Sequence, residues 1–370
     1  MKKIWLFSKT NDLVWLFLPV WVTWAICFLV PSTFHQQSLP FWFWILIIVG
    51  IDVSHVWSTL FRTYLDPEEF KAHNKILIKA PILAFMICFG VAFWSTALFW
   101  TILAYLALFH FIKQQYGFLM LYLGRYGIEV KNRFLKHSYV LYFTMLYPVV
   151  YWHLASGLEF NWFVEGDFLL LPQVLSNYNL VEAWVQKSVP FFNMLYFSFL
   201  LAWSIETTYN CYQKKQPFPT GLFLWTLTTA GNWFLGIVYF NSDFAFSLTN
   251  VVAHGIPYML LIFVYVQRKK EIKGVLLPPI KSLILVVSMV LTILLLALGE
   301  EYFWDMWFYR ENGQFFESWV AYPLSALENP IVQALGMALL SLPQITHYIL
   351  DGYIWKNNSK NPYLKPILLQ

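Results

Sequence analysis

The amino-acid sequence predicts an all-α protein that crosses a membrane about ten times, and three observations carry that expectation. Of 370 residues, 59% are hydrophobic and 12% charged, with a mean hydropathy of +0.56, which leaves too little polar surface to cover a water-soluble globule. Apolar runs repeatedly reach the roughly 20 residues that a helix needs to span a bilayer. The basic residues fall between those runs in a single alternation of sides.

The expected spans are 12–31, 41–62, 77–94, 97–123, 138–158, 190–211, 221–240, 244–266, 280–299 and 331–355. The first is too long for the apolar core of a cleavable signal peptide, and no small-residue cleavage site follows it, so it reads as a retained helix. The second carries Asp52 and His55 and ends at Arg62, read as a residue snorkelling to the cytoplasmic edge. The fourth carries His110, Lys113 and Gln114 ahead of Arg125. In the fifth, His153 lies in the outer half and is assigned a structural role. The sixth holds Glu206 before Lys214, and the eighth holds Asn250, His254 and Tyr258 around Pro257. The tenth carries Pro343, Gln344, His347 and Asp351 before Lys356. The longest pieces outside the spans, 159–189 and 300–330, are aromatic-rich and read as interfacial helices or lids.

With a cytoplasmic N-terminus, the inside segments collect 21 of the 24 Lys and Arg: Lys2, Lys3, Lys9; Arg62, Lys71, Lys75, Lys79; Arg125, Lys131, Arg133, Lys136; Lys214, Lys215; Arg268, Lys269, Lys270, Lys273, Lys281; and Lys356, Lys360, Lys365. The outside keeps Lys187 and Arg310 together with 11 of the 20 acids. An even number of crossings with both termini cytoplasmic follows from this asymmetry. The chain reads as one domain, 1–370, with no internal repeat. Cys27, Cys88 and Cys211 all fall in apolar spans without CxxC spacing, which points to packing rather than zinc or disulfides. The 19 Trp and 22 Tyr fit interfacial anchoring and packing, and an aromatic-lined cavity for a long apolar substrate has the same composition. No nucleic-acid partner is expected.

Even-numbered spans all run from outside to inside, and their buried polar residues precede the basic edge by similar distances, roughly 10–20 Å at 1.5 Å per residue. Within that layer the spacing is helical. Asp52 and His55 are i,i+3, with Thr59 and Arg62 continuing the stripe; His110 pairs with Gln114; Asn250, His254 and Tyr258 succeed one another at i+4; and Gln344, His347 and Asp351 share a face. An ionisable group at membrane depth is a functional candidate. A carboxylate or amide one turn from an imidazole can hold its second ring nitrogen, as metal-ligating histidines require. His55, His110, His254 and His347 are therefore candidate metal ligands, with Asp52, Gln114, Asn250 and Asp351 as the groups that orient them. Any one of these histidines alone reads equally well as a hydrogen-bonded packing residue; four at one depth are harder to dismiss. Lys113 and Tyr258 are candidate substrate-facing residues, and Glu206 is a candidate ligand, proton relay or ion-pair partner of Lys113. His35, His73 and His137 lie near boundaries and carry no assignment.

Histidine-rich sites without thiolates suit iron, copper or zinc, and a His-ligated Fe(II) with an open position is suited to O2 activation. In a lipid-facing cavity the reactant is apolar. The HxxxH and HxxHH clusters of membrane diiron desaturases are absent, which favours a mononuclear site.

The motifs Gly50-Ile51-Asp52-Val53-Ser54-His55, Phe109-His110-Phe111, Val252-Ala253-His254 and Ile345-Thr346-His347-Tyr348-Ile349-Leu350-Asp351 resemble, distantly, those of the Brp/Blh family of bacterial beta-carotene 15,15'-dioxygenases. That resemblance implies a helical membrane enzyme whose histidine-ligated non-haem iron splits a polyene double bond with O2. It implies ligation by His55, His110 and His254, with His347 on a terminal helix that ends in Asp351 and Lys356. The sequence departs from the family at Tyr258, where the family has a second histidine one turn after the third ligand, and at Ile112, which replaces a glycine. Either His347 completes the shell, or three imidazoles suffice, or the metal is lost; the same departures move the expected substrate away from beta-carotene.

The expectation is thus a bacterial inner-membrane, non-haem Fe(II) oxygenase acting with O2 on a lipophilic polyene or lipid-like substrate. Two alternatives remain open at this stage. Opposed helical histidines can ligate haem b in an electron-transfer protein, and the layer of Lys113, Glu206, Asp52 and Asp351 can line the path of a proton-coupled transporter.

Overall fold

A computed structural model describes residues 3–31, 33, 40–127, 136–155, 162–169, 178–316 and 329–369. The regular secondary structure of the described residues is all helical, and no strand occurs among them. Among the described residues, eight helices are long and apolar enough to cross a membrane: α1 Lys9–Leu29, α2 Phe41–Arg62, α3 Pro67–Trp94, α4 Thr96–Tyr126, α6 Asn179–Gln213, α7 Thr220–Tyr239, α8 Asp243–Ile272 and α9 Pro279–Tyr309. Between α4 and α6 lies α5, His137–Leu154, and after α9 come α10, Pro330–Leu340, and α11, Leu342–Ile354. His35, Lys2, Lys131 and Arg133 fall outside the described residues, as do parts of the expected 159–189 and 300–330 lids.

The apolar composition of these helices matches their exposure. Along α9, Ile280, Leu283, Ile284, Val287, Leu291 and Leu295 are all exposed. This stripe of large aliphatics on one face suits hydrocarbon rather than water.

The chain forms two compact units. One comprises Met1–Leu39, Leu108–His254 and Leu368–Gln370; the other comprises Pro40–Ala107 and Gly255–Ile367. In the first, α5 packs on α6 and α7, and α7 on α1. Its interior is tied by polar contacts that an apolar solvent strengthens: Trp21 Nε1 donates to Thr228 Oγ1 (3.1 Å), Trp24 Nε1 to Asn232 Oδ1 (3.1 Å), and Asn232 Nδ2 to Asn250 Oδ1 (2.9 Å). Gly236 gives the Asn250 amide its space, because a Cβ there would stand 2.8 Å from Asn250 Nδ2.

In the second unit, α3 packs on α10 and α11, and α9 on α2. The start of α3 is fixed by its sequence: Pro67 opens the first turn, and Asp66 caps it by accepting from the backbone N–H groups of Glu68 (3.0 Å) and Glu69 (3.2 Å). The expected single span 331–355 is two helices that meet at Ser341. Pro343 cannot donate to the carbonyl of Leu339, and its ring disfavours a continuous helix.

Arg62 corrects a sequence expectation. Rather than snorkelling, it is fully buried, ion-paired with Glu69, and donates through Nη2 to the Ile354 carbonyl and to Asn361 Oδ1, both at 3.1 Å. Its guanidinium lies 3.9 Å over the Tyr265 ring. The last residue of α11 and the segment after it supply the covering acceptors, and Glu69 is held in turn by Lys269 Nζ (2.8 Å) and Tyr265 Oη (2.8 Å). A carboxylate one turn into the next helix is what turns the arginine inward.

Candidate metal centre

Two of the four histidines follow stretches of wide, π-helical turns, Trp44–Val53 ahead of His55 and Ser247–Val251 ahead of His254. Such turns shift a helix by one residue and re-aim the side chains after them. Around His55 the backbone is held by hydroxyls: Ser54 Oγ donates to the Val49 carbonyl (2.7 Å) and Ser58 Oγ to that of His55 (2.6 Å).

His55 and His347 face each other edge to face, with ring centroids 5.1 Å apart. Asp52 Oδ1 lies 3.7 Å from His55 Nδ1. His347 Nδ1 is bound to Thr59 Oγ1 at 2.7 Å, and Thr59 Oγ1 is also 3.0 Å from Tyr258 Oη, which donates to Asp351 Oδ1 at 2.6 Å. Asp351 Oδ1 itself stands 3.8 Å from His347 Nδ1. With Nδ1 held by Thr59, Nε2 is the nitrogen that His347 presents to an ion.

His110 and His254 make a second edge-to-face pair, with centroids 5.0 Å apart. Phe111 stacks on the His254 ring at 3.7 Å, within 3° of parallel, and Trp162 packs edge-on against Phe111 at 5.0 Å. The turn that carries His254 is pinned by two amides of α4. Gln114 Nε2 donates to the His254 carbonyl (2.7 Å), and Gln115 Nε2 to the Ala253 carbonyl (3.3 Å). Pro257 explains the second contact: lacking an N–H, it leaves the Ala253 carbonyl without its helical donor.

All four side chains are buried, and each offers one ring nitrogen, these nitrogens lying within 4.8 Å of one another. No Asp, Glu or Cys belongs to that cluster among the described residues. Neutral imidazoles are the donor set of iron, copper and zinc. The donor set fits a metal.

The remaining expected residues are placed as follows. Asp52 and Asp351 lie beside His55 and His347, one turn away as the spacing predicts. Gln114 does not hold the His110 ring; it serves the His254 backbone instead, because the amide spans to the neighbouring helix. Asn250 is committed to Asn232 and Thr249 rather than to His254. Tyr258 is buried against Ile262 and Met289 and is bonded to Thr59 and Asp351. Lys113 is exposed, donates to Tyr142 Oη at 3.4 Å and lies 4.8 Å over the Tyr116 ring, and is not gathered among the histidines. Glu206 is half-buried on α6 and is not a member of the cluster. His153 is half-buried, its Nδ1 bonded to the Val149 carbonyl at 2.7 Å.

Sequence reasoning gave no role to Gln115 or Glu300. Gln115 was discoverable, since Pro257 announces an orphaned carbonyl at Ala253 that some donor must meet. Glu300 Oε2 accepts from Trp57 Nε1 at 2.7 Å, because α9 continues to Tyr309 rather than stopping near 299. No family model, curated protein or solved structure matches the chain.

Proposed function

We propose that this chain is an integral-membrane, histidine-ligated non-haem iron oxygenase acting with O2 on a lipophilic substrate. The observation that carries the reading is the convergence of four buried imidazoles with, among the described residues, no thiolate or carboxylate in the cluster. Bound there, Fe(II) with an open coordination position supplies O2 activation. The chain's own contribution is orientation. Thr59 and Asp351 fix the ring of His347, Asp52 stands beside His55, Phe111 covers one face of His254, and Gln114 and Gln115 fix its turn. Burial of the rings keeps bulk water from the ion, which suits chemistry on an apolar molecule entering from lipid. The resemblance to the Brp/Blh family points the same way, toward a polyene or lipid-like reactant.

The topology belongs to the same proposal. Besides the eight long apolar helices, α5 and the α10–α11 pair each cross, giving ten passages with both termini cytoplasmic in a bacterial inner membrane, an orientation supported by the Lys and Arg bias. Edge-to-face contacts of 5.0 and 5.1 Å between histidine rings favour a single ion over a haem b sandwiched within either pair.

The test is elemental analysis and the absorption spectrum of the detergent-purified protein, with His55→Ala, His110→Ala, His254→Ala and His347→Ala alongside. About one iron per chain, no Soret band, loss of iron in the variants, and O2 uptake that polyenes or lipids stimulate are expected. A Soret band would replace the reading with a haem protein. Absence of any metal after anaerobic reconstitution, with substrate transport in proteoliposomes, would replace it with a transporter.

A further inference from the structure

An unbroken aromatic file runs from the His55–His347 pair to the buried ion cluster around Arg62. The Tyr258 ring stands edge-on to His347 at 4.9 Å and to His55 at 5.8 Å. Trp355 follows at 6.1 Å from Tyr258, and Tyr265 at 6.0 Å from Trp355. Such spacings are ordinary core packing by themselves. What sets this file apart is that both tyrosines donate to carboxylates inside the protein, Tyr258 to Asp351 at 2.6 Å and Tyr265 to Glu69 at 2.8 Å. Phenylalanine would fill either place without demanding a buried acid. A phenol hydrogen-bonded to a carboxylate loses an electron far more readily than an isolated one, because its proton shifts along the same bond and no charge is left on the ring. Beyond Tyr265, Glu69 is bonded to Lys269, which reaches Glu68, a half-exposed carboxylate, at 3.6 Å.

We propose that Tyr258, Trp355 and Tyr265 form a one-electron relay between the histidine cluster and the Arg62–Glu69–Lys269 cluster, able to return an oxidised metal ion to its reduced form when O2 has reacted without substrate. The inference rests on the oxygenase reading. Tyr258 would give one electron to an oxidised ion held by the histidines and its phenolic proton to Asp351, leaving a neutral tyrosyl radical and a carboxylic acid. Trp355 then gives one electron to Tyr258, the proton returns from Asp351, and the hole resides on the indole. Arg62, 5.6 Å over the Trp355 ring, disfavours a positive charge there and drives the hole onward. Tyr265 gives one electron to Trp355 and its proton to Glu69. A soluble one-electron reductant of the thiol or ascorbate class finally restores Tyr265, with the proton returning from Glu69.

The test uses the full-length protein loaded anaerobically with Fe(II), mixed with O2 without substrate and freeze-quenched for electron paramagnetic resonance. Tyr258→Phe, Trp355→Phe, Trp355→Tyr and Tyr265→Phe are compared at equal metal content, and samples with ring-deuterated tyrosine or tryptophan identify the radical. The wild type is expected to show a tyrosyl signal. Tyr258→Phe loses it and Tyr265→Phe replaces it with a tryptophanyl signal, whereas Trp355→Phe stops the hole on Tyr258, leaving a tyrosyl signal that added ascorbate quenches slowly, and Trp355→Tyr restores the wild-type rate of quenching. A purely structural role for Trp355 predicts no such division between Phe and Tyr, since both remove the indole. Iron bound and O2 consumed with no organic radical, or with a radical indifferent to all four substitutions, overturns the relay and leaves the oxygenase standing. Failure to bind metal or consume O2 overturns both, since nothing would then oxidise Tyr258.

Discussion

Gln115 on α4 donates its side-chain amide to the carbonyl of Ala253 at 3.3 Å, the one carbonyl in that turn of α8 that Pro257 deprives of a helical donor. The same side chain accepts from Thr229 Oγ1 at 2.9 Å, and its backbone carbonyl accepts from Trp225 Nε1 at 3.0 Å. A glutamine therefore sits where one donor and one acceptor are both needed away from water. Gln115→Leu leaves the Ala253 carbonyl and the Thr229 hydroxyl buried without these partners, at a cost of about 1–3 kcal/mol for each. The expected outcome is a lower unfolding midpoint in detergent and weaker metal retention, since His254 is the next residue.

Thr59 bears on the metal without touching it. Its hydroxyl holds His347 Nδ1 at 2.7 Å, which sets the tautomer and ring angle of that candidate ligand. Removing such a partner weakens metal binding by roughly 10–100-fold in other centres, and Thr59→Val keeps the side chain's shape while deleting the hydroxyl. Titration of the apo protein with Fe(II) or Co(II) should show that loss, with helix content by circular dichroism unchanged. Equal affinities in the two proteins would place His347 outside the ligand set.

Much of this arrangement is legible in the sequence. The 41–62 run matches α2 to the residue, and the one-turn spacings place Asp52 beside His55 and Asp351 beside His347. Periodicity fails where a side chain reaches across to another helix. Gln114 shares a face with His110 yet bonds to the backbone of His254, and Asn250 shares a face with His254 yet bonds to Asn232. Spacing within one helix reports only which residues share a stripe, whereas in an apolar interior the choice of partner is set by whichever backbone or amide group on the next helix lacks one. Arg62 was misplaced for a related reason. Its charge suggested a boundary, while Glu69, seven residues on and in another helix, determines its burial.

Asp66 makes stability depend on acid. Burial pushes its carboxyl upward, but the hydrogen bond and charge of Lys269 and the backbone N–H groups of Glu68 and Glu69 outweigh that, and the net position is below the ordinary carboxylate value. A depressed folded value means that the contribution is present in full above the unfolded value of about 3.9 and is lost as pH falls through the folded one. The wild type should thus lose thermal stability on acidification below about pH 4. Asp66→Asn keeps a side-chain oxygen for the helix cap but not the charge, so its midpoint at neutral pH should drop modestly and its acid dependence should flatten. Asp66→Ala loses the cap as well, at about 1 kcal/mol. An unaltered acid slope in Asp66→Asn would assign the dependence to other carboxylates.

Arg62 offers the sharpest test of how the end of α2 is held. Fully buried, it is bound to Glu69, to the Ile354 carbonyl and to Asn361, while Asn361 Oδ1 also meets His73 Nε2 at 2.9 Å. Asn361 Nδ2 in turn donates to the carbonyls of Tyr353 (2.9 Å) and Lys356 (2.8 Å), so one guanidinium ties the end of α2 to the start of α3 and to the segment beyond α11. Arg62→Met removes the cation while keeping much of the volume, and leaves Glu69 to Lys269 and Tyr265, with His73 Nε2 3.9 Å away. Breaking a buried pair from one side costs about 3–5 kcal/mol; because Lys269 remains, the lower end of that range is expected. Arg62→Met together with Glu69→Gln removes the stranded charge and should recover part of the loss. Unfolding midpoints of the two single variants and the double variant measure that coupling directly. Strictly additive losses would mean that Arg62 acts through Asn361 and the Ile354 carbonyl rather than through Glu69.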